Sequence, residues 1–150
     1  MINDILEKFN ENQNFIYKLN DWKLLYRENQ VTFGSMVIIY CGDDCDSLSK
    51  VSKKSFSDLP EFINIIEKIM RDTYDANKFN YMALMMIDSQ PHFHVFPRFA
   101  KSVNFCNKKY YDNFYPKPVL IEDNFKLNTA TKTKFINDFR KQIDRILNAH

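Results

Sequence analysis

The stretch that most constrains this chain runs from Tyr81 to Arg98. It opens on Tyr81-Met82-Ala83-Leu84-Met85-Met86-Ile87, breaks at Asp88-Ser89-Gln90-Pro91, and resumes as His92-Phe93-His94-Val95-Phe96-Pro97-Arg98. The first run is apolar at every position through Ile87, which predicts a strand covered on both faces. The break is built from turn-forming residues. Side chains alternate along a strand, so in the second run His92 and His94 project from one face, about 6.5–7 Å apart along the chain. Phe93 and Val95 point to the opposite face, the expected core.

Two imidazoles side by side on a sheet can serve three purposes. They can be structural, satisfied by local hydrogen bonds. They can be two zinc ligands, since His-x-His is a common two-ligand fragment that needs one or two more donors. The remaining histidine is His150 at the chain end, so a three-histidine metal site is not expected. Finally, they can do phosphorus chemistry, one imidazole attacking while the other hydrogen-bonds the phosphoryl oxygens. Protonating both would set like charges close together, so one is expected to stay neutral near pH 7.

Gln90-Pro91-His92-Phe93-His94-Val95-Phe96-Pro97-Arg98 resembles the signature of the histidine triad (HIT) superfamily, His-φ-His-φ-His-φ-φ, often followed by Pro-Arg. Asn80 to Asp88, followed by His92-Phe93-His94-Val95, resembles a branch of small bacterial HIT-like proteins. Trp22-Lys23-Leu24-Leu25-Tyr26-Arg27 and Gln30 to Val37 resemble that branch's N-terminal strands. The resemblance covers residues 1–100 well and the last third loosely. It implies that His92 is the nucleophile that takes a nucleotidyl group and that His94 contacts the phosphoryl oxygens. Gln90 stands where the family has its first histidine, and it is expected to hydrogen-bond an imidazole or the substrate without carrying charge. The Gly-Gln-Ser loop of the family is reduced here to Asp88-Ser89. Ser89, Asn80, Gly34 and Arg98 are the implied substrate contacts. Arg98, directly after the histidine strand, is the expected anion contact, and Gly34 is expected either to border a nucleoside pocket or to mark a bulge. The resemblance implies no protein-bound metal and no cofactor.

The rest of the chain fits one domain over residues 1–150. A chain of this length buries about 68–70% of its unfolded surface, and 45% hydrophobic content with fourteen Phe and eight Tyr predicts an aromatic-rich core. With two Gly in all, a glycine-built phosphate loop is excluded. A net charge of +2 is too small to argue for nucleic-acid or membrane partners. No apolar run is long enough for a membrane span, and the N-terminus lacks the pattern of a signal peptide. Three cysteines, Cys41, Cys45 and Cys106, fit reduced thiols in a cytoplasmic protein.

The periodicity predicts a helix over residues 2–13, strands at 15–19 and 22–26 around an Asn20-Asp21 turn, and a strand over 31–40. Trp22 is expected to pack, and 41–46 to form a polar loop. A helix capped by Ser55 or Ser57, with Pro60 in its first turn, ends near Tyr74. After Arg98 a long aromatic and basic loop is expected, either packed across the surface or gripping a base or polyphosphate. A last helix spans Thr129 to Leu147, capped by Thr129 or Thr131. The expected whole is an α+β, HIT-like antiparallel sheet with packed helices, and the resemblance implies a homodimer. The expected function is hydrolysis of a nucleotide phosphoanhydride or phosphoramidate, of the dinucleoside polyphosphate kind, through a nucleotidyl-histidine. A nucleotide-binding protein without turnover and a nucleotidyl transferase remain the alternatives.

Overall fold

Alternation along the sheet decides where everything else packs. The structure, a computed structural model, describes residues 1–149, so the expectation placed on His150 lies outside the described residues. Five strands form one sheet: Phe15–Leu19 (β1), Trp22–Tyr26 (β2), Met36–Tyr40 (β3), Lys78–Met82 (β4) and His92–Arg98 (β5). Their order is β1-β2-β3-β5-β4, and every neighbouring pair is antiparallel. Helices Ile2–Lys8 (α1) and Glu11–Asn14 (α2) precede the sheet. Lys53–Tyr74 (α3) joins β3 to β4, and Thr129–Asn148 (α4) closes the described chain. Val103–Phe105 (β6) and Lys108–Tyr110 (β7) pair as a separate hairpin. The α+β architecture expected from the sequence is the one observed.

The two faces of the sheet carry two cores. Leu24, Tyr26, Met36, Ile38 and Val95 face α3 and α4, which contribute Phe62, Ile66, Met70, Phe135 and Phe139. Each such side chain, fully buried, contributes roughly 1.5–3 kcal/mol of transfer free energy. Phe33 is the hub, with the rings of Tyr74, Phe105, Tyr110 and Phe135 between 5.1 and 5.5 Å from it. On the opposite face Leu25, Val37 and Ile39 pack against Ile5 and Leu6 of α1. His92 is in register with Ile39 and His94 with Val37, so both imidazoles share this second face.

Several local expectations need correction. The helix over 2–13 is broken at Asn10, which adopts a left-handed conformation between α1 and α2. The strand over 31–40 begins at Met36, because the backbone of residues 30–35 is folded into a turn. Gln30 Oε1 accepts from Gly34 and Ser35, and Ser35 Oγ accepts from Val31 and Thr32. The cap of α3 is Ser52, whose side chain accepts from Ser55 N, so Pro60 lies inside the helix rather than in its first turn. The cap of α4 is Asn128.

The largest departure is the run to Ile87. Strand β4 lies at the sheet edge and ends at Met82. Met85 then takes a positive φ of 45°, and Met86 and Ile87 are 83% and 88% exposed. An unbroken apolar run predicts a strand buried on both faces; its second half instead leaves the sheet as a loop. The stretch after Arg98 is likewise more ordered than expected, carrying the β6–β7 hairpin and a Tyr110–Phe125 stack at 5.4 Å.

Gly34 has φ +81°, and a Cβ there would lie 2.6 Å from Met70 Cε and 3.6 Å from Phe135 Cζ. The glycine is required by the turn and by close packing on α3. Gly34→Ala is expected to destabilise the fold by roughly 1–3 kcal/mol, through left-handed strain and displacement of Met70, as read by urea unfolding.

Candidate active site

His92 and His94 lie on β5 between β3 and β4, which fixes their backbone on both sides. Their ring centroids are 5.0 Å apart and nearly perpendicular. Phe9, at the end of α1, sits against both, at 6.2 Å from His92 and 6.0 Å from His94. The two imidazoles open onto a cavity of about 300 Å³. Its walls come from three separate segments: Lys8 and Phe9 from α1, Arg27, Glu28 and Asn29 after β2, and Leu84 to Asp88 after β4, with Ile121 at one side. The lining is largely apolar with a few polar groups, the usual make-up of a small-molecule site.

The hydrogen bond at His92 fixes its chemistry. Nδ1 lies 2.7 Å from the carbonyl oxygen of Gln90. A carbonyl can only accept, so Nδ1 carries the proton and Nε2 of the neutral ring keeps its lone pair. Burial pushes His92 below the ordinary histidine range, against the partial support of that carbonyl. His94 is pushed further, down to about 3, first by burial and then by the charge of Arg27. Its Nδ1 is buried and has no hydrogen-bond partner among the described residues. The sequence expectation was one neutral imidazole; both are neutral near pH 7.

The implied contacts separate into those that reach the cavity and those that do not. Gln90 is 1% exposed, and its side chain does not face the imidazoles. Its Nε2 donates to Tyr40 O at 2.8 Å and Asp43 O at 2.9 Å, while Oε1 accepts from Cys45 N at 3.0 Å. The expected support of an imidazole comes instead from its backbone carbonyl. Arg98 does not line the cavity. It pairs with buried Asp112 at 2.6 Å, and it also donates to Asn80 Oδ1 and Lys117 O. Arg98 and Asn80 therefore pin the chain after β5 to the edge strand, because a buried guanidinium needs its donors filled. Gly34 faces the opposite core, and Ser89 borders a separate shallow recess with Met1 and Asp4. Among the described residues, no cluster of three His, Cys, Asp or Glu could hold a metal ion, and no helix is long and apolar enough to cross a membrane.

Sequence reasoning missed Lys8, Phe9, Arg27 and the 84–88 wall. In the sequence Arg27 is only the last residue of the Trp22–Arg27 stretch, yet it lines the cavity and its guanidinium lies over Phe96, 5.6 Å from the ring centroid. Its position two residues beyond Leu25 was the available signal, since alternation puts it on the histidine face.

Comparison with solved structures agrees with the fold. The chain is similar to a histidine triad protein from Sinorhizobium meliloti, with a TM-score of 0.73, 16% identity, and coverage of 95% of this chain and 96% of that one. It is similar to a histidine triad protein from Bradyrhizobium japonicum at TM-score 0.69 and 17% identity, covering 91% and 94% of the two chains. A diadenosine triphosphate hydrolase from Plasmodium falciparum, solved with cyclomarin A, matches at TM-score 0.62 and 11% identity, covering 95% of each chain. No protein-family model and no curated protein sequence matches the chain. The chain has the histidine triad fold.

Two outcomes are expected from this geometry. Both imidazoles have folded values below the 6.5 of the free side chain. The unfolded chain therefore binds more protons as pH falls below about 6.5, and stability present above that value is lost toward acid, by up to about 1.4 kcal/mol per pH unit for each ring. For His94 the loss runs down to about 3. Urea unfolding from pH 7 to pH 4 measures it, and His94→Gln should flatten the slope. Gln90→Ala should destabilise the protein by roughly 1–3 kcal/mol, because the Cys45 amide and two carbonyls lose buried partners.

Proposed function

We propose, taking the histidine triad fold as premise, that this protein is a nucleotide hydrolase acting on a phosphoanhydride or phosphoramidate bond through a nucleotidyl-histidine on His92. The observation that carries this is the 2.7 Å bond from His92 Nδ1 to the Gln90 carbonyl, which leaves Nε2 unprotonated on a residue that lines the cavity. A ring kept neutral by burial is a competent nucleophile at pH 7. The Nε2 lone pair attacks phosphorus, the phosphorus–nitrogen bond forms, and the bond to the leaving oxygen or nitrogen breaks with its electron pair departing on that atom, which takes up a proton. Water then attacks phosphorus, the phosphorus–nitrogen bond breaks, Nε2 recovers its lone pair, and the water proton is released. His94 donates a hydrogen bond to the phosphoryl oxygens through both steps. The apolar wall of Phe9, Leu84, Met85 and Ile121 suits a base. The likeness to a diadenosine triphosphate hydrolase supports a dinucleoside polyphosphate as substrate.

A second reading is a nucleotide-binding protein without turnover. Gln90 favours it, because the side chain at the place of the missing first histidine is committed to the 40–45 backbone and offers no proton to a leaving group.

The decisive measurement is mass spectrometry of protein quenched during incubation with diadenosine polyphosphates, adenosine phosphoramidate and nucleotide sugars. A nucleotidyl adduct on the peptide containing His92 is expected. His92→Ala should lose on the order of 10⁴-fold or more in turnover while still binding nucleotide. Robust hydrolysis by that variant would sink the mechanism, and tight binding without adduct or turnover would establish the second reading.

A further inference from the structure

The cavity has four cationic or potentially cationic side chains, Lys8, Arg27, His92 and His94, and their partners decide what it can bind. Lys8 is paired with Asp88 at 2.5 Å. Glu28, the other acid in the lining, is taken by Lys132 at 2.5 Å and by Asn14 at 3.1 Å. Both imidazoles are neutral, since burial holds them below the ordinary range. That leaves Arg27. Its Nη1 donates to Asn29 O, its Nε is buried without a hydrogen-bond partner among the described residues, and both lining carboxylates are committed to lysines. The guanidinium rests on the Phe96 ring, and that ring stacks in parallel on His94 at 6.1 Å between centroids. Its charge reaches His94, where it acts second only to burial.

We propose that Arg27 is the anion-binding residue of this cavity, contacting the non-bridging oxygens of a phosphoryl group presented to His92. The inference rests on the proposed phosphoryl chemistry for its catalytic consequence, and on geometry alone for its binding consequence. Transfer of a phosphoryl group concentrates negative charge on the equatorial oxygens. With its Nδ1–H given to the Gln90 carbonyl, His92 offers no donor, and a neutral His94 answers that charge with an N–H dipole only. A guanidinium answers it with a permanent charge and a planar fork matched to two oxygens. Its place on the cavity wall, its base on an aromatic ring and the commitment of both lining carboxylates to lysines are the signs of a cation positioned before the ligand arrives. Arg27 thus takes the role for which the sequence offered Arg98, whose donors are filled by Asp112, Asn80 and Lys117.

The test separates binding from turnover. Calorimetric titration with inorganic pyrophosphate, then with AMP and with adenosine, is run on the unaltered protein, Arg27→Gln and Arg27→Met, the last keeping an apolar stem on Phe96. Thermal melting selects the variant that folds. The expected result is at least a tenfold loss of pyrophosphate and AMP affinity with adenosine affinity changed less than twofold, and a hundredfold fall in turnover of any substrate found. If pyrophosphate affinity falls but the unaltered protein turns over nothing, Arg27 stands and the hydrolase reading fails. Equal pyrophosphate affinity in the variants, or none in the unaltered protein, overturns the inference whatever the turnover. A parallel loss for adenosine would mark Arg27 as a wall residue only and would also overturn it.

Discussion

The face of the sheet that carries the two imidazoles depends on Gln90. Its two ends do different work. The backbone carbonyl takes the proton-bearing edge of His92, which selects the tautomer and fixes the ring. The side-chain amide reaches three backbone groups between Tyr40 and Cys45, joining the turn before β5 to the chain leaving β3. Since β3 and β5 are neighbours, this fastening lies at the end of the same pair of strands that holds the imidazoles in register. A buried amide with all of these bonds made is rigid, and one with any of them missing is costly. His92 is therefore positioned by the framework itself, two residues from this buried amide.

Electrostatics divides the two faces of the molecule into distinct kinds of interior. The α3–α4 side is aromatic, with Phe33 and Phe135 joining helices, hairpin and sheet. The α1 side carries the cavity, and two polar atoms of its lining residues are left without partners among the described residues, as Tyr26 Oη is on the other side. His94 Nδ1 and Arg27 Nε are buried without partners among the described residues. Polar atoms in this state are expensive in a core and useful in a binding site, where a ligand can satisfy them. The Arg98–Asp112 pair shows the contrast. It is equally buried, fully bonded, and occupied with holding the chain after β5 in place.

Much of the fold was legible because its signals are local. The apolar faces of α3 and α4 repeat at helical spacing, and the strands at 15–19 and 22–26 alternate around a turn. The placement of His92 and His94 on one face followed from strand geometry. What stayed hidden was set by pairing across the chain. Nothing near Arg98 announces that Asp112 will claim it, and nothing near Arg27 announces that Glu28 will be taken by Lys132, at the start of α4. The run to Ile87 misled for a related reason. Apolar side chains that wall a cavity look, in one dimension, like side chains between two layers. The identity of the neighbouring wall, Phe9, is likewise a matter of how α1 docks.

That docking has a thermodynamic consequence. Phe9 and the short helix before it are the material that excludes water from both imidazoles. The helix is held by a small patch, chiefly Ile5 and Leu6 on Leu25, Val37 and Ile39, and by the Lys8–Asp88 pair. When this patch opens, the rings meet solvent and recover their ordinary basicity, with Arg27 still opposing the charge on His94. Proton uptake and release of the N-terminal segment are therefore one linked equilibrium. Acid favours any state in which the segment is open over the closed one. A ligand that needs the rings neutral drives the same equilibrium in the opposite direction, closing the segment over itself.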